Sequence, residues 1–261
     1  MQSHFDSNGR TYSGQVVLVT GGTRGIGRAI AMAFLERGAT VLVCGRKPPE
    51  EPVAAGGRQA AFIPADVRDA EQVQALYAAI QQQHGRLDIL VNNAGGSPHV
   101  MAADASPRLT ASIIALNLTA PLLLAQGAYA MMAGQGGVIL FIGSVSALRP
   151  SPGTAAYGAA KAGIVNLVRS LAVEWAPRVR VAAVSPGLVL TDEALSHYGD
   201  ESRLDAVGAT IPLGRLAQPE EIASACLYLA SPAAAYATGC NLVLDGGGER
   251  PAFLAAANPA A

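Results

Sequence analysis

Charge is scarce in this 261-residue chain: Asp, Glu, Lys and Arg together make up 14% and nearly cancel, to a net −1. A balance so near neutrality offers no general attraction to nucleic acid or to an anionic membrane surface. Cysteine is sparse as well. Cys44, Cys226 and Cys240 lie far apart and form no C-x-x-C pair, which excludes a disulfide framework and a thiolate metal site. They read as small buried apolar residues of a reducing compartment. His4, His84, His99 and His197 are scattered without ligand spacing. The N-terminus lacks the basic-then-apolar pattern of a secretion signal, and no apolar run approaches the length that spans a bilayer. The expectation is a cytoplasmic protein with no metal, no membrane and no nucleic-acid partner.

What the chain has in quantity is apolar. A hydrophobic content of 51% supports a large core and leaves apolar surface for other subunits to cover. Short β-rich runs at 15–20, 40–44, 60–63, 87–91, 138–142, 179–184 and 241–244 alternate with helix candidates at 25–37, 69–84, 107–132, 155–176 and 219–230. Most of the runs lack polar alternation, as parallel strands covered on both faces do. The pattern predicts an α/β fold: a doubly wound, mostly parallel seven-stranded sheet with helices on both faces. Asp69 is expected to cap one helix, and Pro219 with Glu220 and Glu221 suits the first turn of another. One domain is expected over 14–248, between a loose arm at 1–13 and a tail at 249–261.

The first run leads directly into Thr20-Gly-Gly-Thr-Arg-Gly-Ile-Gly27, where a helix begins. Gly21, Gly25 and Gly27 form a G-x-x-x-G-x-G variant of the dinucleotide turn, which makes the sheet Rossmann-type. Glycine permits the tight turn, the approach of backbone to a pyrophosphate, and close packing of helix on strand. The helix N-terminus then directs N–H groups at the phosphates. Thr23, Arg24 and Ile26 complete the turn. Beyond the second run stand Arg46 and Lys47, with no acid until Glu50. An acid there would hold the ribose hydroxyls of NAD(H). Positive charge, with Arg24 approaching from the glycine turn, favours the 2′-phosphate of NADP(H).

Tyr157 and Lys161 stand four residues apart, on one face of a helix. A free tyrosine titrates at about 10. The neighbouring ammonium is expected to lower that value and make Tyr157 a proton donor and acceptor near neutrality.

Taken together, these residues resemble the short-chain dehydrogenase/reductase family, in its compact single-domain branch, over residues 14–248. The resemblance extends to Asp66 and Val67, which look like adenine contacts, and to Asn92-Asn93-Ala94-Gly95 at the end of the fourth strand. It includes Asn117 in a helix, Ser144 upstream of the Tyr157-x-x-x-Lys161 pair, and Pro186-Gly187 with Val189 and Thr191, which look like the loop that holds the nicotinamide carboxamide. Segment 237–247 is similar to the last strand of bacterial 3-oxoacyl-thioester reductases. Gly143 departs from the family, where many members have serine. The resemblance implies an NADP(H)-dependent oxidoreductase interconverting a ketone and a secondary alcohol. Tyr157 would be the acid/base and Ser144 would orient the carbonyl oxygen. Lys161 would act on Tyr157 and bind the nicotinamide ribose, and Asn117 would hold a water for proton exchange. A homodimer or homotetramer is also implied, paired through 107–132, 155–176 and the last helix and strand.

The substrate is expected among the loops at 96–101, 145–154 and 188–213, because ligands of open sheets sit at the strand ends. Val100, Met101, Val145, Leu148, Pro150, Leu188, Leu195 and Ile211 are apolar there, with His99, Arg149, His197 and Tyr198 as polar exceptions. Such a lining suits a small hydrophobic carbonyl or alcohol, either a 3-oxoacyl thioester or an alicyclic, steroid-like ring. Arg149 could meet a thioester carrier's phosphates. Two other readings stay open: an epimerase or dehydratase that oxidises its cofactor transiently, and a non-catalytic nucleotide-binding regulatory protein.

Overall fold

Val16–Thr20 (β1) is valine and leucine up to its last residue and is buried along its whole length, as only a strand with neighbours on both edges and helices on both faces can be. The computed structural model, which describes residues 12–191, 201–249 and 251, places β1 near the middle of a seven-stranded sheet. The elements following β1 are α1 (Gly25–Glu36), β2 (Thr40–Gly45), a small hairpin of β3 (Ala54–Ala55) and β4 (Arg58–Gln59), β5 (Ala61–Pro64), α2 (Ala70–His84) and β6 (Ile89–Asn92). Then come α3 (Pro107–Ile114), α4 (Ala120–Met132), β7 (Gly137–Ile142), α5 (Ala155–Trp175), β8 (Val179–Pro186), α6 (Glu201–Ala209), α7 (Pro219–Ala230) and β9 (Asn241–Leu244).

Strand order is β5-β2-β1-β6-β7-β8-β9, with every pair parallel. The chain winds outward from β1 to β5, then returns to β6 on the other side of β1. That reversal opens a crevice at the C-terminal ends of β1 and β6, the place where open sheets of this kind bind ligands. One core layer packs α2, α4 and α5 on the sheet and the other packs α1 and α7. The expected strands and helices are present to within a residue or two. The β3–β4 hairpin and α6 were not anticipated, being too short or too polar to carry a periodic signal.

Local chemistry sets the boundaries. The Asp69 carboxylate accepts from the amides of Glu71 and Gln72 and so caps α2, as its position predicted. Gln218 and Glu221 form a reciprocal capping box at α7, and Arg215 binds the Glu221 carboxylate at 2.7 and 2.8 Å. Two expectations need correction. The arm is not loose as far as residue 13: Tyr12 is buried against Phe34, and its hydroxyl donates to the Leu227 carbonyl. The helical stretch Pro107–Met132, at 26 residues with an 18-residue window of mean hydropathy 1.6, does reach the length and composition of a membrane-crossing helix. In this fold its Leu124, Ala125, Ala128 and Met132 pack into the core beside the sheet.

The end of α7 is tied to the sheet by one side chain. Arg180 of β8 donates to the carbonyls of Leu229, Ala230, Ser231 and Ala237 at 2.8 to 3.3 Å, serving the last carbonyls of the helix and two just beyond it. Arg180→Met keeps most of the stem and removes all four bonds. Urea unfolding should show a loss of about 3 kcal/mol, since unpaired groups cost more than a made bond returns. An unchanged midpoint and slope would contradict this account.

Candidate functional site

At the reversal point the turn after β1 is held by contacts that only glycine allows. A Cβ on Gly27 would lie 2.3 Å from the Gly21 carbonyl oxygen and 2.4 Å from Asn93 Nδ2, and one on Gly22 would lie 2.5 Å from Val43 Cγ1. Gly21 and Gly25 have positive φ, 62° and 51°. Asn93 donates through Nδ2 to the carbonyls of Thr20 and Gly21. Thr20, which the sequence reading passed over, accepts from the amides of Asn93 and Ala94 at 3.0 Å each. Its signal was a hydroxyl at the end of an otherwise apolar strand. The N-terminus of α1 carries no side-chain cap and no acid in its first turn, so its amides face the turn without a competing carboxylate. Among the described residues, a Cβ at Gly25 would meet only the Thr191 side chain, at 3.6 Å or more, and one at Gly96 would meet nothing within 4 Å. This cradle fits a dinucleotide.

The adenosine side has the expected parts, with one difference in how they are held. Gly45 ends β2, and its carbonyl accepts from Ala65 N at 3.0 Å, which brings Arg46 close enough to act electrostatically on Asp66. Asp66 is gripped by Arg68 at 2.6 and 3.0 Å, which holds its carboxyl down to about 2. The Val67 side chain is buried in the core, so only its backbone is free to face a base. Arg46 and Lys47 are exposed, and Thr23 packs beside Gly45. Ile26 packs against the core. Beyond β8, Pro186 pairs with Leu244, a Cβ on Gly187 would lie 2.9 Å from Asp245 Cα, and Val189 bridges Ala217.

The chemistry-bearing side chains converge at the ends of β6 and β7. Lys161 is buried; its Nζ donates to the Ile142 carbonyl at 2.7 Å and lies 5.5 Å from the centre of the Tyr157 ring. A Cβ on Gly95 would be 2.8 Å from Asn117 Oδ1 and 3.5 Å from Lys161 Nζ, which sets Asn117, Gly95 and Lys161 side by side. Asn117 is fully committed: Oδ1 accepts from Gly96 N, and Nδ2 donates to the carbonyls of Gly96 and Ile113, all at 2.9 Å. It sits in a π-helical turn, Ala115–Thr119, between α3 and α4. With both amide hydrogens used, the side chain has no donor left for the expected water. Ser144 begins a short turn, accepting from Ser146 N at 3.1 Å, and its side chain lies close enough to act on the Tyr157 hydroxyl.

The electrostatics correct one expectation. Tyr157 is not lowered by Lys161; burial raises its pKa, with the Ser144 hydrogen bond pulling the other way. The ammonium is turned to a carbonyl beneath the ring, and it is itself pushed down by burial, to about 8. Gly143, the departure from the family pattern, has a steric reason. A Cβ there would lie 2.3 Å from Ser185 Oγ, which bonds Asn241 at 2.7 Å.

Around this centre, Met101 and Leu148 stand 52% and 55% exposed. His99 packs on Gly153, and Val100 N donates to the Gly153 carbonyl at 2.8 Å, joining two of the expected substrate loops. Arg149 is paired with Glu249 at 2.8 Å, a partner that sequence gave no sign of. Val145 and Ile211 are buried, and Leu188 is half-buried. Leu195, His197 and Tyr198 lie outside the described residues. Two cavities, about 330 and 150 Å³, lie nearby, the first lined in part by Leu190, Leu204 and Arg215 and the second by Leu188, Ile211 and Leu244. Neither is lined by Tyr157 or Ser144.

Comparison with known proteins follows the same outline. Residues 21–249 match the family described as Enoyl-(Acyl carrier protein) reductase. The chain is 41% identical to D-threitol dehydrogenase of Mycolicibacterium smegmatis over 242 residues, 90% of this chain and 92% of that one. It is 39% identical to a 3-oxoacyl-(acyl-carrier-protein) reductase of Vibrio harveyi over 240 residues, 90% and 97% of the two chains. The ligand-free aldohexose dehydrogenase of Thermoplasma acidophilum superposes with a TM-score of 0.86 at 30% identity, covering 92% of this chain and 96% of that one.

Burial of Lys161 has a consequence for stability. Its folded value of about 8 lies below the ordinary 10.5, so between these pH values the unfolded chain binds more protons. Stability from this group therefore rises with pH across that window and is lowest below it, where the amine is charged in both states. Lys161→Met should be more stable than the parent at pH 7, with the advantage shrinking towards pH 10 in urea titrations. A constant difference would show that the amine is not held in a desolvated site.

Proposed function

This chain belongs to the short-chain dehydrogenase/reductase family, and from that premise we propose an NADP(H)-dependent enzyme interconverting a ketone and a secondary alcohol. That it is an oxidoreductase acting on alcohol and carbonyl groups follows from the family; the cofactor, the residue roles and the substrate are our reading. The observation that carries it is the cluster at the end of β7: Tyr157 with Ser144 close enough to act on its hydroxyl, and the Lys161 ammonium 5.5 Å from its ring centre.

The turn built on Gly21, Gly25 and Gly27 would hold a nicotinamide cofactor, which would supply hydride to the carbonyl carbon or accept it from the alcohol. Tyr157 gives its phenolic proton to the carbonyl oxygen in reduction. A phenol kept protonated by burial is in the right state to do so at neutral pH. Ser144 donates to the same oxygen and fixes its place as negative charge develops. Lys161, largely charged at neutral pH, stabilises the phenolate left behind. The Asn117 side chain holds Gly96 in place beside Lys161; with both amide hydrogens used, a water serving proton exchange there would have to donate to an oxygen.

NADP(H) is favoured by Arg46 and Lys47 at the end of β2, with Arg24 in the glycine turn and no acid until Glu50. The relatives' printed substrates run from a polyol and an aldohexose to a carrier-bound thioester. For this chain, exposed Met101 and Leu148 support a small hydrophobic substrate. We further propose a homodimer or homotetramer, for which exposed Val173, Tyr228 and Tyr236 offer apolar surface.

Tyr157→Phe removes the proton and spares the packing. Turnover should fall by about three orders of magnitude, within the range general acids contribute, with cofactor affinity little changed. Near-normal turnover in that variant, followed by cofactor absorbance, would refute the mechanism. Arg46→Asp should move preference from NADPH towards NADH, read as the ratio of kcat/KM for the two. An unmoved ratio would count against the cofactor assignment.

A further inference from the structure

Between β2 and the buried Val53 the chain reads Arg46-Lys-Pro-Pro-Glu-Glu-Pro52. Its three prolines remove three N–H donors and hold φ at about −65°, so the segment is stiff but poorly able to bond to itself. Its carbonyls depend on donors from elsewhere. Arg28 provides two: one terminal nitrogen donates to the Glu51 carbonyl and the other to the Pro52 carbonyl, each at 3.1 Å. A guanidinium suits adjacent carbonyls because its two nitrogens are rigidly forked.

Arg28 follows Gly27 in α1. The helix whose N-terminus faces the glycine cradle therefore also holds the far end of the segment that carries Arg46 and Lys47. Both of these are exposed, and Arg46 acts electrostatically on Asp66 across the same crevice. Without the tie, binding a phosphate would have to order the segment's backbone as well as the side chains, and that cost would come out of the affinity.

We propose that Arg28 is a positioning residue for cofactor selectivity, acting through Arg46 by fixing segment 46–52 on α1. The proposal rests on the NADP(H) reading above. Its test is fluorescence titration of NADPH and of NADH onto the purified full chain, which needs no substrate. Arg46→Ala comes first: NADPH affinity should fall about tenfold, the scale of one charge-assisted contact, with NADH unchanged. No change for NADPH would bring down the NADP(H) reading and this proposal with it.

Arg28→Met keeps a good helix former and removes both bonds. NADPH should bind about three- to tenfold more weakly with NADH unchanged, and in the Arg46→Ala background the same substitution should cost nothing further. A parallel loss for NADH would mark a merely structural role, and an additive loss in the double variant would mean that Arg28 does not work through Arg46. Either result overturns the proposal and leaves the NADP(H) reading standing. Pro52→Gly loosens the same segment without altering α1 and should erode selectivity in the same direction. Selectivity unchanged in both variants overturns the proposal too.

Discussion

The close approach of Gly27 to the Gly21 carbonyl and to Asn93 is the constraint on which the rest depends. It allows α1 to start directly over the end of β1, and Asn93 joins that turn to the end of β6. A methyl group in that gap would force helix and strand apart. The contact lies at the point where the strand order reverses, so a steric allowance of one missing Cβ sets the geometry of the whole crevice. Thr20 reinforces it from within the sheet by accepting two amides of the next turn.

Around that point the polar groups are tightly committed. Lys161 and Asn117 are buried, and every donor that Asn117 owns is used to hold Gly96 and its own helix. The π-helical turn at Ala115–Thr119 accompanies that commitment, an irregularity often found at functional sites. Burial also decides the protonation states. It raises Tyr157 and lowers Lys161, opposite shifts from one cause, because desolvation disfavours whichever form carries charge. The proposed acid is thereby protonated and its neighbour mostly charged at neutral pH, a pairing that suits reduction.

The two sides of the crevice differ in how charge is handled. On the adenosine side, Arg46 and Lys47 stay exposed on a proline-stiffened segment that Arg28 ties to α1. On the opposite side, Arg149 is met by Glu249 and Arg215 by Glu221 in exposed ion pairs of small individual worth. The proposed selectivity for a phosphorylated cofactor rests on the exposed Arg46 and Lys47.

Sequence by itself determined the sheet and the turn. Uninterrupted apolar runs such as VVLVT and GVILFI have no way to sit except between two helical layers, and the glycine spacing admits few other backbones. The order Ser144, Tyr157, Lys161 pointed to the chemistry proposed for this chain. The Tyr–Lys spacing put two side chains on one helix face, yet it could not say where the ammonium would point; the Ile142 carbonyl, supplied by a strand 19 residues upstream, decided that. Gly143 read as a minor departure until Ser185, from the neighbouring strand, was seen to fill its space. Arg149 read as a candidate for a carrier's phosphates, and nothing in the sequence pointed to Glu249, its partner from the far end of the chain. Periodicity and spacing record what a residue does to its own segment. Burial, hydrogen-bond partners and shifted acidities depend on groups brought together by the winding of the sheet, and only the tertiary structure contains them.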